Sequence, residues 1–247
     1  MSTQALHSAA HATTLRVLAH LLDYPDAALR EHLPDLRAAL HGQRTLSAAR
    51  LAELDALIDQ LLHATGFDAE AAYVDLFDRG RGTALHLFEH VHGDSRDRGP
   101  AMIDLLKTYE EAGLYLASGE LPDHLTVVLE YASTQPPLAA ADFLREIAHI
   151  LRSIFSALTR RESAYACVLA ALLDLAGEPT KLVEVAAEPL LDETWSEPAA
   201  FGGCSSEGQR SPGESQPVRI VRTPRQPQHG QPGQPGQHGQ SAHGAST

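Results

Sequence analysis

The chain has 247 residues, 43% of them hydrophobic, with 19 basic against 32 acidic side chains and a formal net charge of −13 at pH 7. A field of that sign repels nucleic acid and anionic lipid and draws in a basic peptide or a basic protein face, so a basic protein segment is the expected partner and nucleic acid is not. Cys167 and Cys204 are too few and too far apart for a disulfide framework or a CxxC metal site. No stretch reaches the roughly 20 apolar residues that span a bilayer, and the N-terminus lacks the apolar core of a secretory signal, so the expected location is cytoplasmic, without direct membrane insertion.

The first predicted element is a helix whose Leu15, Leu18, Leu21 and Leu22 share one face; Tyr24-Pro25-Asp26 ends it and offers Asp26 as the N-cap of the next. Ser47 is placed to cap a third helix, in which Leu51, Leu54, Leu57, Ile58, Leu61 and Leu62 recur at three- and four-residue spacing until Gly66. Asp68 is the expected cap of a fourth helix running through Tyr73, Leu76 and Phe77 to Gly80. Pro100 fits the first position of a helix through Tyr109, and Pro122 that of another containing Leu125, Val128 and Leu129. One long helix over 139–160 and an apolar one over 164–176 complete the set; Leu190, Leu191, Trp195 and Phe201 offer only thin apolar material for packing back.

Leu and Ala dominate, and no β-branched run alternates with polar residues over a strand's length. The predicted architecture is therefore all-α: a single-domain helical bundle over residues 1–201. From Gly202 onward nine Gly, six Pro and eight Gln make up half of 46 residues, and this tail is expected to be disordered. The tail holds four Arg against two Glu, so residues 1–201 carry 15 basic against 30 acidic groups, a net −15.

Within 71–133 the unusual residues cluster. His86, Glu89 and His90 spell His-x-x-Glu-His. On a helix the two imidazoles would share a face and could bind one zinc, with Glu89 activating a water, as in a zinc-dependent hydrolase. A third protein ligand is needed, and nothing in the spacing of Glu110, Glu111 or Glu120 selects one. The competing reading packs Leu85, Leu87, Phe88 and Val91 into the bundle, with each imidazole bonded to backbone or carboxylate at its edge. Charging of His86, His90, His92 or His124 would reduce the local negative field and make partner binding depend on pH.

Taken whole, Tyr73-Val-Asp-Leu-Phe-Asp-Arg-Gly80, Leu85-His-Leu-Phe-Glu-His-Val-His-Gly-Asp-Ser-Arg-Asp-Arg-Gly99, Gly113-Leu114 and Glu120-Leu-Pro-Asp-His-Leu125 closely resemble the NarJ family. These are the molybdenum cofactor assembly chaperones of respiratory nitrate reductase, sometimes called its delta subunit. The resemblance includes Leu21-Leu-Asp-Tyr-Pro25, Leu191-Asp-Glu-Thr-Trp195 and Pro217-Val-Arg-Ile-Val221, and so extends to about Arg222. Tyr73-x-x-Leu-Phe77 and Glu120-x-Pro-Asp-His124 also resemble the wider TorD and DmsD group of molybdoenzyme chaperones. Two features depart from the family: His124 stands where an aromatic is usual, and the Gln-Pro-Gly-His tail follows Arg225.

The resemblance implies a helical, non-enzymatic protein that is not part of the mature enzyme. It implies binding to the N-terminal segment of the catalytic alpha subunit in the apo alpha-beta complex, holding it in the cytoplasm until the molybdenum cofactor is inserted. It implies no stably bound cofactor, and proteins of cofactor biosynthesis are candidate further partners. An acidic helical body able to accept an amphipathic peptide is consistent with that. Leu76, Phe77, Phe88 and Leu125 are the candidate apolar contacts, with core packing as the competing role. Glu89, Asp97, Glu120 and Asp123 are the candidate partners for peptide Arg or Lys, with capping or internal ion pairing as the competing role. Arg96 and Arg98 flank Asp97 and could form an internal clamp on that turn.

Overall fold

Leu15, Leu18, Leu21 and Leu22 are fully buried along α1 (Thr3–Leu21) and the turn that follows it, the face the spacing predicts. In the computed structural model, which describes residues 3–93 and 95–184, Asp26 then accepts the Leu29 amide at 2.7 Å and starts α2 (Ala27–Gln43). Ser47 accepts the Arg50 amide at 3.2 Å and starts α3 (Ala48–His63). Each cap satisfies an N–H that the first helical turn would otherwise leave unpaired. The Leu190–Phe201 stretch and the tail from Gly202 lie outside the described residues.

The next element departs from expectation. α4 (Gly66–Tyr73) is capped by Thr65, whose hydroxyl accepts the Asp68 amide at 3.3 Å and donates to the Asp68 carboxylate at 2.6 Å. Gly66 is thus the first residue of a helix, and Asp68 supports its start from within. The helix does not run on to Gly80: Val74–Asp78 widens into a π turn, closed by the Arg79 amide on the Val74 carbonyl at 3.2 Å. One extra residue in the turn rotates Phe77 inward, where its ring meets Tyr73 at 4.7 Å and Tyr165 at 5.1 Å between centroids. A 3₁₀ turn (Arg81–Thr83) leads to α5 (Leu87–His92) and α6 (Arg98–Glu111), so Pro100 is the third residue of α6, not the first.

α7 (Leu125–Thr134) starts after His124, and Pro122 lies in the turn before it rather than at its first position. The single helix expected over 139–160 is two, α8 (Pro137–Glu146) and α9 (Ala148–Arg160), broken at Ile147 with φ −92° and ψ 3°. No Gly or Pro marks the break. It lets Ala140 and Leu144 of α8 and Leu151, Ile154 and Leu158 of α9 all become fully buried, and both helices pack on α10 (Ala166–Ala176).

α10 is the core helix. Val168, Leu169, Leu172 and Leu173 are fully buried among α3, α8 and α9, each stabilising the fold by roughly 1.5–3 kcal/mol. It ends at Gly177, which takes φ +72° so that the Glu178 amide can reach the Leu173 carbonyl at 2.9 Å. α1 packs against α2 on one side and α7 on another. Among the described residues every regular element is a helix, apart from one antiparallel bridge between His86 and His124, and none of these helices is long and apolar enough to cross a membrane.

Candidate functional site

The segments 84–86 and 122–124 meet at that bridge. The Leu87 amide donates to the Asp123 carbonyl at 3.0 Å and the Leu125 amide to the Leu85 carbonyl at 2.9 Å. Tyr109, almost wholly buried in the last turns of α6, holds the same turn by donating its hydroxyl to the Pro122 carbonyl at 2.8 Å. These bonds drive the Asp123 side chain completely out of solvent.

A buried carboxylate needs partners, and Asp123 has three. Its Oδ2 accepts the Phe88 amide at 3.2 Å, so it caps α5 from across the fold. His86 Nδ1 lies 3.4 Å from Oδ1, and Arg98 Nη2 lies 3.5 Å from Oδ2. Arg98 also reaches Glu89 through Nη1 at 3.3 Å. Burial alone would raise the Asp123 carboxyl, but the His86 bond, the Phe88 amide and the Arg98 charge outweigh it and hold it below the usual carboxylate range. The same bond to Asp123 raises His86 against its own burial. The His124 ring, 4.9 Å from that of His86 between centroids, is lowered by burial first and by the His86 charge second.

This geometry removes the premise of the zinc reading. His86 is extended, with φ −83° and ψ 104°, and precedes α5, so it shares no helical face with His90. His90 Nε2 is already 2.8 Å from the Ala84 carbonyl oxygen. Among the described residues no group of three or more His, Cys, Asp or Glu is arranged to hold a metal.

The predicted contact residues divide. Leu125 and Phe77 are core, and Leu76 packs against the core beside Phe77. Phe88 is half-buried with its ring 5.5 Å from that of His92. Glu89 and Asp123 are brought together by Arg98, so the internal clamp exists, but it joins α5, α6 and the 122–124 turn rather than gripping Asp97. Asp97 is exposed and accepts the Ser95 hydroxyl at 3.1 Å. Glu120 is exposed and accepts the Ala117 amide at 3.1 Å.

Of these, Glu120 borders a feature the sequence did not reveal: an open cavity of about 340 Å³ between α1, the end of α6, the 112–121 connection and α7. Tyr109, Leu114, Val127 and Tyr131 give it an apolar lining, and Glu120 and Glu130 stand at it as exposed carboxylates. Tyr115, also lining it, is 80% exposed. The Tyr131 ring is fixed between Tyr109 at 4.9 Å and Phe143 at 5.2 Å. On the α1 side Arg16 donates from Nε to the Ser133 hydroxyl at 3.1 Å. The cavity can accept an apolar side chain and offers carboxylates to a cation beside it.

A family profile described as the nitrate reductase delta subunit matches residues 22–171. The chain is 44% identical over 183 residues to the nitrate reductase molybdenum cofactor assembly chaperone NarJ of Escherichia coli K12, covering 73% of this chain and 78% of that one. It is 42% identical over 163 residues to a protein of the same organism named "Probable nitrate reductase molybdenum cofactor assembly chaperone NarW", covering 66% and 68%. With the nitrate reductase-like protein NarX of Mycobacterium tuberculosis H37Rv it shares 35% identity over 162 residues, 64% of this chain but 24% of that longer one.

Proposed function

We propose, from the premise that the chain belongs to the nitrate reductase delta subunit family, that it is an assembly chaperone for nitrate reductase acting in molybdenum cofactor insertion. Its finer role is to bind the N-terminal segment of the apo alpha subunit in the cytoplasm and keep the enzyme competent for cofactor insertion and membrane assembly. It is not an enzyme and does not remain in the mature complex.

The observation that carries the finer reading is the apolar cavity at Tyr115, bordered by Glu120 and Glu130 on a chain of net charge −13. Buried apolar anchors supply most of the affinity for a peptide, and carboxylates at the rim set its approach and register. The Asp123 network supports the reading differently: by pinning the 122–124 turn to α5 and α6, it fixes the base of the connection that walls the cavity. A cavity shaped before the partner arrives spares part of the ordering cost of binding.

The test is production of nitrate reductase with and without this chain, followed by molybdenum analysis of the purified enzyme. The proposal expects alpha subunit that is synthesised but lacks molybdenum when the chain is absent. Full molybdenum loading without it would overturn the proposal.

A further inference from the structure

The cavity at Tyr115 does not stop at α1. His20, one helical turn beyond Arg16 on the exposed face of α1, lines it and also lines a second cavity of about 470 Å³ on the far side. The two differ in charge balance. The first sets Arg16 beside Glu120 and Glu130 among aromatic and aliphatic walls. The second sets Asp23, Asp26 and Asp35 around Ala28, Leu29 and Leu36 of α2.

None of these three aspartates is ion-paired to a Lys or Arg among the described residues. Asp26 caps α2, and Asp23 accepts the Tyr24 amide at 2.9 Å. Asp35 is exposed. Carboxylates without a basic partner beside an apolar floor attract a cation from outside.

We infer that the two cavities form one docking trough for a single client segment. That segment is apolar where it lies against Tyr115 and Val127, and basic where it crosses α1 at His20 toward Asp23, Asp26 and Asp35. The inference rests on the chaperone reading and adds the site and the order of its two parts. Charge selects the occupant: a second copy of this chain carries −13 and is repelled, and so are nucleic acid and anionic lipid.

The test measures fluorescence anisotropy of two labelled peptides on the full chain. One is the N-terminal segment of the nitrate reductase alpha subunit, and the other is the same segment with every Arg and Lys replaced by Gln. Tyr115→Ala should weaken both peptides by on the order of tenfold, as loss of an aromatic anchor does. Asp35→Lys should weaken the basic peptide about fivefold and leave the Gln peptide unchanged. Asp142→Lys, outside both cavities, should change neither beyond the small general effect of added charge. Tyr115, Asp35 and Asp142 are all exposed, and circular dichroism of each variant checks that the fold is kept. Equal effects of Asp35→Lys and Asp142→Lys would remove the second cavity from the trough. Tight binding by the unaltered chain that neither Tyr115→Ala nor Asp35→Lys weakens would overturn the trough and leave the chaperone reading standing. No binding of either peptide to the unaltered chain would overturn both.

Discussion

Asp123→Ala and Asp123→Asn together separate the two jobs this carboxylate does. Ala removes all three contacts: it strands the Phe88 amide, which Oδ2 accepts at 3.2 Å, and deprives His86 of its partner. Loss of hydrogen bonds to a charged group costs about 1.5–3 kcal/mol, and a stranded buried amide adds about 1–3 kcal/mol. Arg98 contributes less to the loss, because it is 28% exposed and keeps Glu89. A total of about 3 kcal/mol lowers the melting temperature by about 6–12 °C in a domain of this size. Asn keeps an acceptor for Phe88 and loses only the charge, so it should cost about 1–2 kcal/mol. The carboxyl is held below its ordinary range, so its stabilisation is present above about pH 4 and fades as pH falls through the folded pKa. Urea unfolding followed by circular dichroism at pH 7 and pH 3 reads both effects. If Asp123→Asn unfolds with the unaltered chain at pH 7 but loses peptide affinity, Asp123 is a partner contact and the structural assignment is wrong.

Other substitutions probe other links. Gly80→Ala would bring a Cβ to 2.7 Å from the Leu76 carbonyl oxygen and closer still to Thr83 and Arg161; the backbone cannot yield cheaply, so thermal unfolding should show a loss of about 1–3 kcal/mol. His86 is raised, so its contribution is present below about pH 6.5 and lost as pH rises through its folded pKa. His86→Asn should therefore destabilise more at pH 6 than at pH 8.5, and an equal loss at both would contradict the Asp123 bond. His124 is lowered, so its protonation at acid pH opposes folding; His124→Phe should fare better relative to the unaltered chain at pH 5.5 than at pH 8 in the same assay. Cys167 is buried, with its thiol pushed up to about 12, so iodoacetamide at pH 8 should modify it only after denaturation, as peptide mass mapping would show. Leu172→Ala, at a fully buried site, should cost about 2–5 kcal/mol, whereas Leu138→Ala, 82% exposed, should cost almost nothing by urea titration.

Helices were legible from local signals, although some of these misplaced their starts: Thr65 rather than Asp68 caps α4, and Pro100 and Pro122 do not open α6 and α7. Asp26 and Ser47 cap the helices their positions suggest, and the Leu15–Leu22 spacing marks the buried face of α1. What was not legible depends on contacts distant in sequence. Ile147 breaks a helix with no local breaker because α8 and α9 must both reach α10. The π turn at Val74–Asp78 follows from packing Phe77 against Tyr165, nearly ninety residues later. Asp123 offers itself locally as a peptide contact or as a cap or internal ion pair, and only partners 25 to 37 residues away show it buried in the second role. The cavity at Tyr115 draws its walls from two helices, a helix end and a loop, and no single periodicity shows it. His-x-x-Glu-His misleads for the same reason: the bridge to His124 holds His86 outside the helix that contains His90.

The central claim is that this acidic helical chain recognises the N-terminal segment of the apo alpha subunit. Calorimetric titration of the protein with that peptide, beside a scrambled peptide of equal charge, tests it most directly. The account predicts saturable binding near one peptide per chain for the true sequence and markedly weaker binding for the scrambled one. Equal heats from both peptides, or none from either, would contradict it.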